Sequence, residues 1–235
     1  TEKPADHGGA KHIRHDTAGA DPDQHGWDEF CVSAAEYADR KQPEANHQGD
    51  ESGSEMKHSL VRTMMRLHLS KPLRPGKKTT FSIDWRFKIP DGKAMRVRGG
   101  FEFFEKDGNY VYNIAQWYPR LCAYTDYCGW QNRQTLGAEF ALEFGDFNVS
   151  ITVPDDHIVA STGELQNPEE VLSNQQRERL ATATKSDTPV YIVTEEEAIK
   201  NESSKPAGKK TWKVVLSKII QIVLYNRSKS LTRIF

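Results

Sequence analysis

The chain has 235 residues, enough for one large or two small domains, yet only 37% are apolar and the mean hydropathy is −0.72. A net charge of −1 removes the basic balance expected of a nucleic-acid-binding protein, and no apolar run is long enough for a membrane-spanning helix. Three cysteines, Cys31, Cys122 and Cys128, exclude a disulfide scaffold, and no CxxC zinc pattern occurs.

Residues 1–55 hold 13 Asp and Glu against 5 Lys and Arg, a net of −8, and contain neither Leu nor Met. Such a segment buries too little surface to offset chain entropy, so the composition predicts disorder, with a short amphipathic helix over 28–40 as the one structured option. The polar start has no apolar h-region, which argues against a signal peptide. The fold is expected to begin near Met56.

From there the apolar period is two. Val61, Thr63, Met65, Leu67 and Leu69 alternate with polar or flexible residues, and a turn is expected over 71–78. Phe81, Ile83, Trp85, Phe87 and Ile89 form the clearest half-buried strand, stopped by Pro90-Asp91-Gly92. Residues 101–104 and 110–115 flank Asp107-Gly108-Asn109, a predicted hairpin. Phe140, Leu142 and Phe144 share one parity, whereas Phe147, Val149, Ile151 and Val153 share the other. That phase flip predicts a bulge at Gly145-Asp146. A strand over 158–161 follows. Asn167-Pro168-Glu169-Glu170 then opens a predicted helix running to about 185, with Asn167 as N-cap. Residues 190–193 read as a short strand. The fold class is mainly β: an antiparallel or mixed sheet or sandwich with one late inserted helix and a disordered N-terminal segment.

Few motifs carry chemistry. None of the eight histidines is followed by Glu, so the His-Glu-x-x-His pattern that sets two imidazoles and a base on one helix face is absent. His7, His12, His15 and His25 crowd with Asp16, Asp21 and Asp23 at no spacing that fixes a metal geometry. Phosphate loops and Gly-x-Ser-x-Gly are missing. Asp155-Asp156-His157 offers a base near Ser161, but reads first as a turn after Pro154. Glu195, Glu196 and Glu197 read as a solvated acidic face. The densest polar-aromatic stretch is 116–130. There Trp117, Tyr118 and Trp130 either line a ligand surface or pack a crossover over the sheet. Cys122 and Cys128 either pair or stay free.

The same stretch carries a resemblance. Gln116-Trp-Tyr-Pro-Arg120, Gly129-Trp130, Leu136-Gly-Ala-Glu-Phe140, Phe144-Gly-Asp-Phe147, Ile151-Thr-Val-Pro154 and Ser161-Thr-Gly-Glu-Leu165 follow in order. Over residues 60–212 the chain resembles the N-terminal domain of the zinc aminopeptidases, the family of aminopeptidase N and leukotriene hydrolase, in its bacterial branch. The resemblance implies a saddle-like β domain preceding a thermolysin-like catalytic domain. That catalytic domain would hold the zinc and bind the free amine of a peptide. It also implies that such a β domain lends one side chain to the substrate's amine, for which Gln116 is the first candidate and Glu139 the second. No metal and no cofactor are expected in this chain itself; zinc belongs to the catalytic domain. Relatives in this branch are often exported, which implies the periplasm or the exterior.

The resemblance places the domain at 56–213, between the acidic segment 1–55 and an atypical tail, 214–235, which has four bases and no acid. The two ends are expected to be foreign to the fold, through truncation or a shifted reading register. For the tail, a surface-seeking basic helix and an extra strand remain alternatives. The uncharged run 214–225, interrupted only by Lys218, predicts self-association. The expected function is a non-catalytic domain shaping the peptide cleft of a zinc aminopeptidase. The alternative is a stand-alone β-sandwich module binding peptide or carbohydrate on Trp117, Tyr118 and Trp130.

Overall fold

The structure, a computed structural model, describes residues 11–18, 27–33, 44–49, 55–87, 89–95, 100–106, 108–115, 117–133, 142–203, 206–219, 223–227 and 233–234. In chain order the elements are β1 (Lys11–Ala18), β2 (Trp27–Ser33), β3 (Glu44–Gly49), β4 (His58–Val61), β5 (Met64–Leu73), β6 (Lys78–Arg86), α1 (Gly92–Met95), β7 (Gly100–Phe104), β8 (Asn109–Ala115), β9 (Arg120–Leu121), β10 (Tyr124–Thr125) and β11 (Gly129–Trp130). They continue as β12 (Gly145–Pro154), β13 (Ile158–Ser161), β14 (Glu164–Leu165), α2 (Pro168–Val171), α3 (Asn174–Ala183), β15 (Val190–Tyr191), α4 (Glu195–Ser203), β16 (Lys209–Ile219), β17 (Val223–Arg227) and β18 (Arg233–Ile234). The mainly β class stands, and the named strands pair antiparallel throughout. The chain forms two compact units, Thr1–Ile89 with Gln116–Glu143, and Pro90–Ala115 with Phe144–Phe235.

In the first unit the sheets run β1-β6-β3 and β4-β5-β2-β9. The alternation around residue 83 is realised: Phe81, Ile83 and Trp85 are buried on one face of β6, and Phe81 and Ile83 cluster with Met56, Met65, Leu67 and Leu73. The strand expected over 61–69 is present as β5 from Met64 onward, and residues 61–63 belong instead to the end of β4 and a turn. Arg62, at φ 57, turns the chain between β4 and β5. Three strands, β1, β2 and β3, lie within residues 1–55, the stretch whose composition argues for disorder. Strands β1 and β3 pair with β6, and β2 pairs with β5. Within the helix expected over 28–40, residues 27–33 are strand β2, and 34–40 lie outside the described residues.

In the second unit the larger sheets run β13-β17-β8-β7 and β12-β16-β14. The predicted bulge is present: the β12–β16 register shifts between Gly145 and Phe147. The expected boundary after residue 213 is not. Strand β16 crosses it without a break, pairing with β12 from Pro154↔Lys209 to Gly145↔Ile219, and Trp212, Val214 and Leu216 are all buried. Strand β17 lies between β13 and β8. The tail therefore supplies a core row and a central strand.

The helix expected over 167–185 is two helices. Leu172 is extended (ψ 146), and Ser173 starts α3 with a capping box, accepting from Gln176 N while Gln176 Oε1 accepts from Ser173 N. Asn167 does not cap with its side chain. Its amide instead continues the edge of β16, donating to Thr211 O at 2.9 Å and accepting from Lys213 N at 2.8 Å. Asn167→Ala strands both backbone groups beside a buried position. It should cost about 1–3 kcal/mol, read as a melting temperature lower by roughly 4–10 °C. An unchanged melting temperature would show that water replaces the amide without loss.

The acidic triplet opens α4. Glu197 Oε2 accepts from Thr194 N at 2.9 Å and from Arg179 Nη1 at 2.6 Å, and Arg179 Nη1 also donates to Ile192 O at 3.0 Å. Burial by itself would raise the Glu197 pKa, but the bonds from Arg179 and Thr194 win and hold it below the usual range. A depressed carboxylate stabilises the fold above its unfolded pKa of about 4.3, and that contribution is lost as pH falls through the folded value. Arg179→Ala should therefore lower the melting temperature at pH 7, with the gap to the parent narrowing below pH ~4. A gap independent of pH would assign the effect to packing alone.

Candidate functional site

Both residues expected at the substrate amine, Gln116 and Glu139, lie outside the described residues. So do His7, His25, Asp21 and Asp23 of the histidine-rich stretch. The segment between Gln116 and Glu139 is described from 117 to 133. Trp117 and Tyr118 are 4% and 1% exposed, with ring centroids 5.1 Å apart in an edge-to-face pair. Trp85 reaches back from β6 to donate its indole N–H to Trp117 O at 3.0 Å, and the two indoles lie 6.2 Å apart. Arg120 is buried and begins β9. The Trp-Tyr-Pro-Arg element is thus a core segment of its unit. The packing alternative holds for Trp117 and Tyr118, which present no platform to a ligand.

Beyond it, β10 and β11 make a small hairpin held by the Tyr124–Trp130 edge contact at 5.2 Å. Its tip exposes Tyr127 and Cys128. Cys128 Sγ meets Thr125 Oγ1 at 3.2 Å and also the Gln131 amide. Cys122 is buried with its thiol 4.0 Å from Met64 Sδ, so the two cysteines are free and do not pair.

Two further groupings lie in the second unit. On one face of the β7–β8 hairpin, Phe101 stands opposite Tyr112 and Phe103 opposite Tyr110. Centroids are 4.8 Å apart for Phe103–Tyr110 and 6.3 Å for Tyr110–Tyr112, and the row continues to His157, 6.2 Å from Tyr112. Burial and the neighbouring Tyr110 raise the Tyr112 pKa. Sequence reading passed over this row because its four rings belong to two strands and meet only through the register.

The second grouping surrounds the turn after Pro154, where His157 Nδ1 donates to Asp156 Oδ1 at 2.7 Å. Asp155 accepts from Ala207 N at 3.2 Å, and its own N–H donates to Gly208 O, which fixes the β16 approach. Lys210 lies with its ammonium 5.3 Å over the Trp212 ring; burial lowers its pKa, against the pull of Asp155 and Asp156. Each carboxylate and the imidazole have structural work in this turn, as the turn reading expects. Among the described residues, no group of three His, Cys, Asp or Glu could hold a metal ion. No helix of the described residues is long and apolar enough to cross a membrane.

No protein-family model matches the chain, and no curated protein matches it. Among solved structures, the chain is similar to a two-domain M1 zinc metallopeptidase variant with L-arginine bound, at 12% identity and a TM-score of 0.46 over 92% of this chain and 37% of that one. It is also similar to an M1 zinc metallopeptidase from Deinococcus radiodurans, at 13% identity and a TM-score of 0.43 over 93% of this chain and 38% of that one. The chain thus spans less than two fifths of the length of these structures.

Proposed function

We propose that this chain is the non-catalytic β portion of a zinc metallo-aminopeptidase, shaping the peptide cleft beside a catalytic domain that this sequence does not contain. The observation that carries the reading is the ordered run of sequence blocks from Gln116 to Leu165. Their described residues sit where a fold, not a reaction, needs them. Trp117 and Tyr118 are core, Ile151 is buried in β12, and Gly163 takes φ +107 where a Cβ would meet Leu216 Cγ at 2.5 Å. In this reading the blocks specify an architecture, and the chemistry belongs to the domain that the architecture flanks. In this reading Gln116 and Glu139 hold the ammonium group of the peptide's N-terminus, and zinc stays in the catalytic domain.

The test is reconstitution. The chain is added to the catalytic domain of a bacterial zinc aminopeptidase stripped of its own β domain, and aminoacyl anilide hydrolysis is followed. Addition should restore turnover, while the chain alone with zinc should show none that tracks the folded protein. Loss of a hydrogen bond to the charged amine should raise KM about tenfold or more in Gln116→Ala or Glu139→Ala, with a smaller change in kcat. Zinc-dependent turnover by the chain alone, or an unchanged KM in both variants, overturns the proposal.

A further inference from the structure

We infer that β12 is an association edge on which a second copy of this chain lays its own β12, antiparallel, across a two-fold axis. The inference is independent of the peptidase reading.

Strand β12 is the terminal strand of the β12-β16-β14 sheet, so one flank faces β16 and the other has no strand neighbour among the described residues. Which groups face outward follows from β16. Thr211 O and Lys213 N bond Asn167, and Lys213 O accepts from Gln166 N, so these residues turn their backbone toward the β14 flank. Alternation then sends Trp212, Val214 and Leu216 toward β12, where they stand opposite Ile151, Val149 and Phe147. The intervening Asn148, Ser150 and Thr152 consequently direct their N–H and C=O groups away from β16. Among the described residues no backbone group bonds them on that side.

This edge lacks the usual defences. No Lys or Arg occurs from Gly145 to Pro154, the proline sits only at the end, and the single bulge lies at the other end, leaving 147–154 as a regular ladder. A row of unpaired donors and acceptors selects an extended backbone as its occupant, and the strand fits itself. With the two-fold axis at Val149, Asn148 of one copy meets Ser150 of the other, and Phe147 meets Ile151. Apolar side chains then face apolar ones, and no like charges oppose. The run 214–225, flagged by its composition, offers no comparable edge: β16 lies between β12 and β14, and β17 between β13 and β8.

Light scattering on size-exclusion fractions tests this on the full chain across roughly 1–100 µM. The mass should climb toward twice that of the chain. Ser150→Pro removes an outward N–H and leaves the β16 ladder intact, so it should hold the single-chain mass to at least tenfold higher concentration. Val149 and its copy would form a non-hydrogen-bonded pair with Cα atoms about 4.5 Å apart, within disulfide reach. In a Cys128→Ser background, oxidised Val149→Cys should therefore yield a covalent dimer, and Asn148→Cys, off the axis, should not. A single-chain mass for the parent throughout, or equal cross-linking of the two cysteine variants, overturns the inference. The cross-linking comparison decides the matter even if Ser150→Pro fails to fold.

Discussion

Deletion of residues 214–235 is expected to unfold the second unit. The cut removes Val214 and Leu216 from the core and leaves Trp212 at a chain end. It also removes the partners of Gly145, Phe147, Asn148 and Val149 in β12, and both partners of β14. Strand β17 goes too, and with it the middle of the sheet that joins β13 to β8. Two buried aliphatic side chains are worth about 2–5 kcal/mol each as cavities, and the lost ladders add to that. Against a total stability of about 5–15 kcal/mol, no folded reserve remains. The shorter chain should be insoluble or melt without a cooperative transition, whereas composition alone predicts that the cut improves solubility. Thermal melting of the chain ending at Lys213 beside the full chain reads the difference. A melting temperature within a few degrees of the parent would return 214–235 to the status of an appendage.

Gly163→Ala should damage the same contact with one methyl group. Gly163 has φ +107, a region that side chains rarely adopt. Its added Cβ would lie 2.5 Å from Leu216 Cγ, 2.7 Å from Val215 O and 2.8 Å from Val214 Cγ1. Backbone strain of about 1–3 kcal/mol and overpacking of a similar size act together, so the melting temperature should fall by roughly 5–15 °C. All three clashing residues lie beyond 213, so the overpacking part of the loss, though not the backbone strain, should vanish if that segment were not docked. A variant that melts like its parent would contradict the position of β16.

What the sequence showed and what it hid divide along physical lines. The alternation of Phe81, Ile83 and Trp85 was legible because a half-buried strand writes its two faces into consecutive residues. The register shift at Gly145 falls where a bulge was expected, but its extra residue lies on β16, and Phe144, whose parity suggested the slip, is exposed. For the tail the strand alternative holds, but the place of β16 in the core was not legible, because a central strand buried on its Trp212-Val214-Leu216 face and paired on both flanks looks like a generic apolar run. Asn167 was correctly placed at a helix start, but its amide serves β16, 44 residues away from its partner Thr211, a contact that no local pattern encodes. The aromatic element at 117–118 was legible as dense in rings, but not as buried, because its cover, Trp85, comes from β6. Of the candidate site, the sequence supplied Gln116 and Glu139 only through the resemblance. The ring row from Phe103 to His157 needed the strand register to appear.

The central claim, that this β fold flanks a zinc-peptidase domain, is tested most directly by sequencing the native transcript that contains this coding segment. The account predicts that the RNA downstream encodes, in one of its three registers, a His-Glu-x-x-His helix, the pattern that sets two imidazoles and a base at a zinc ion. A transcript that lacks the motif in every register would contradict it.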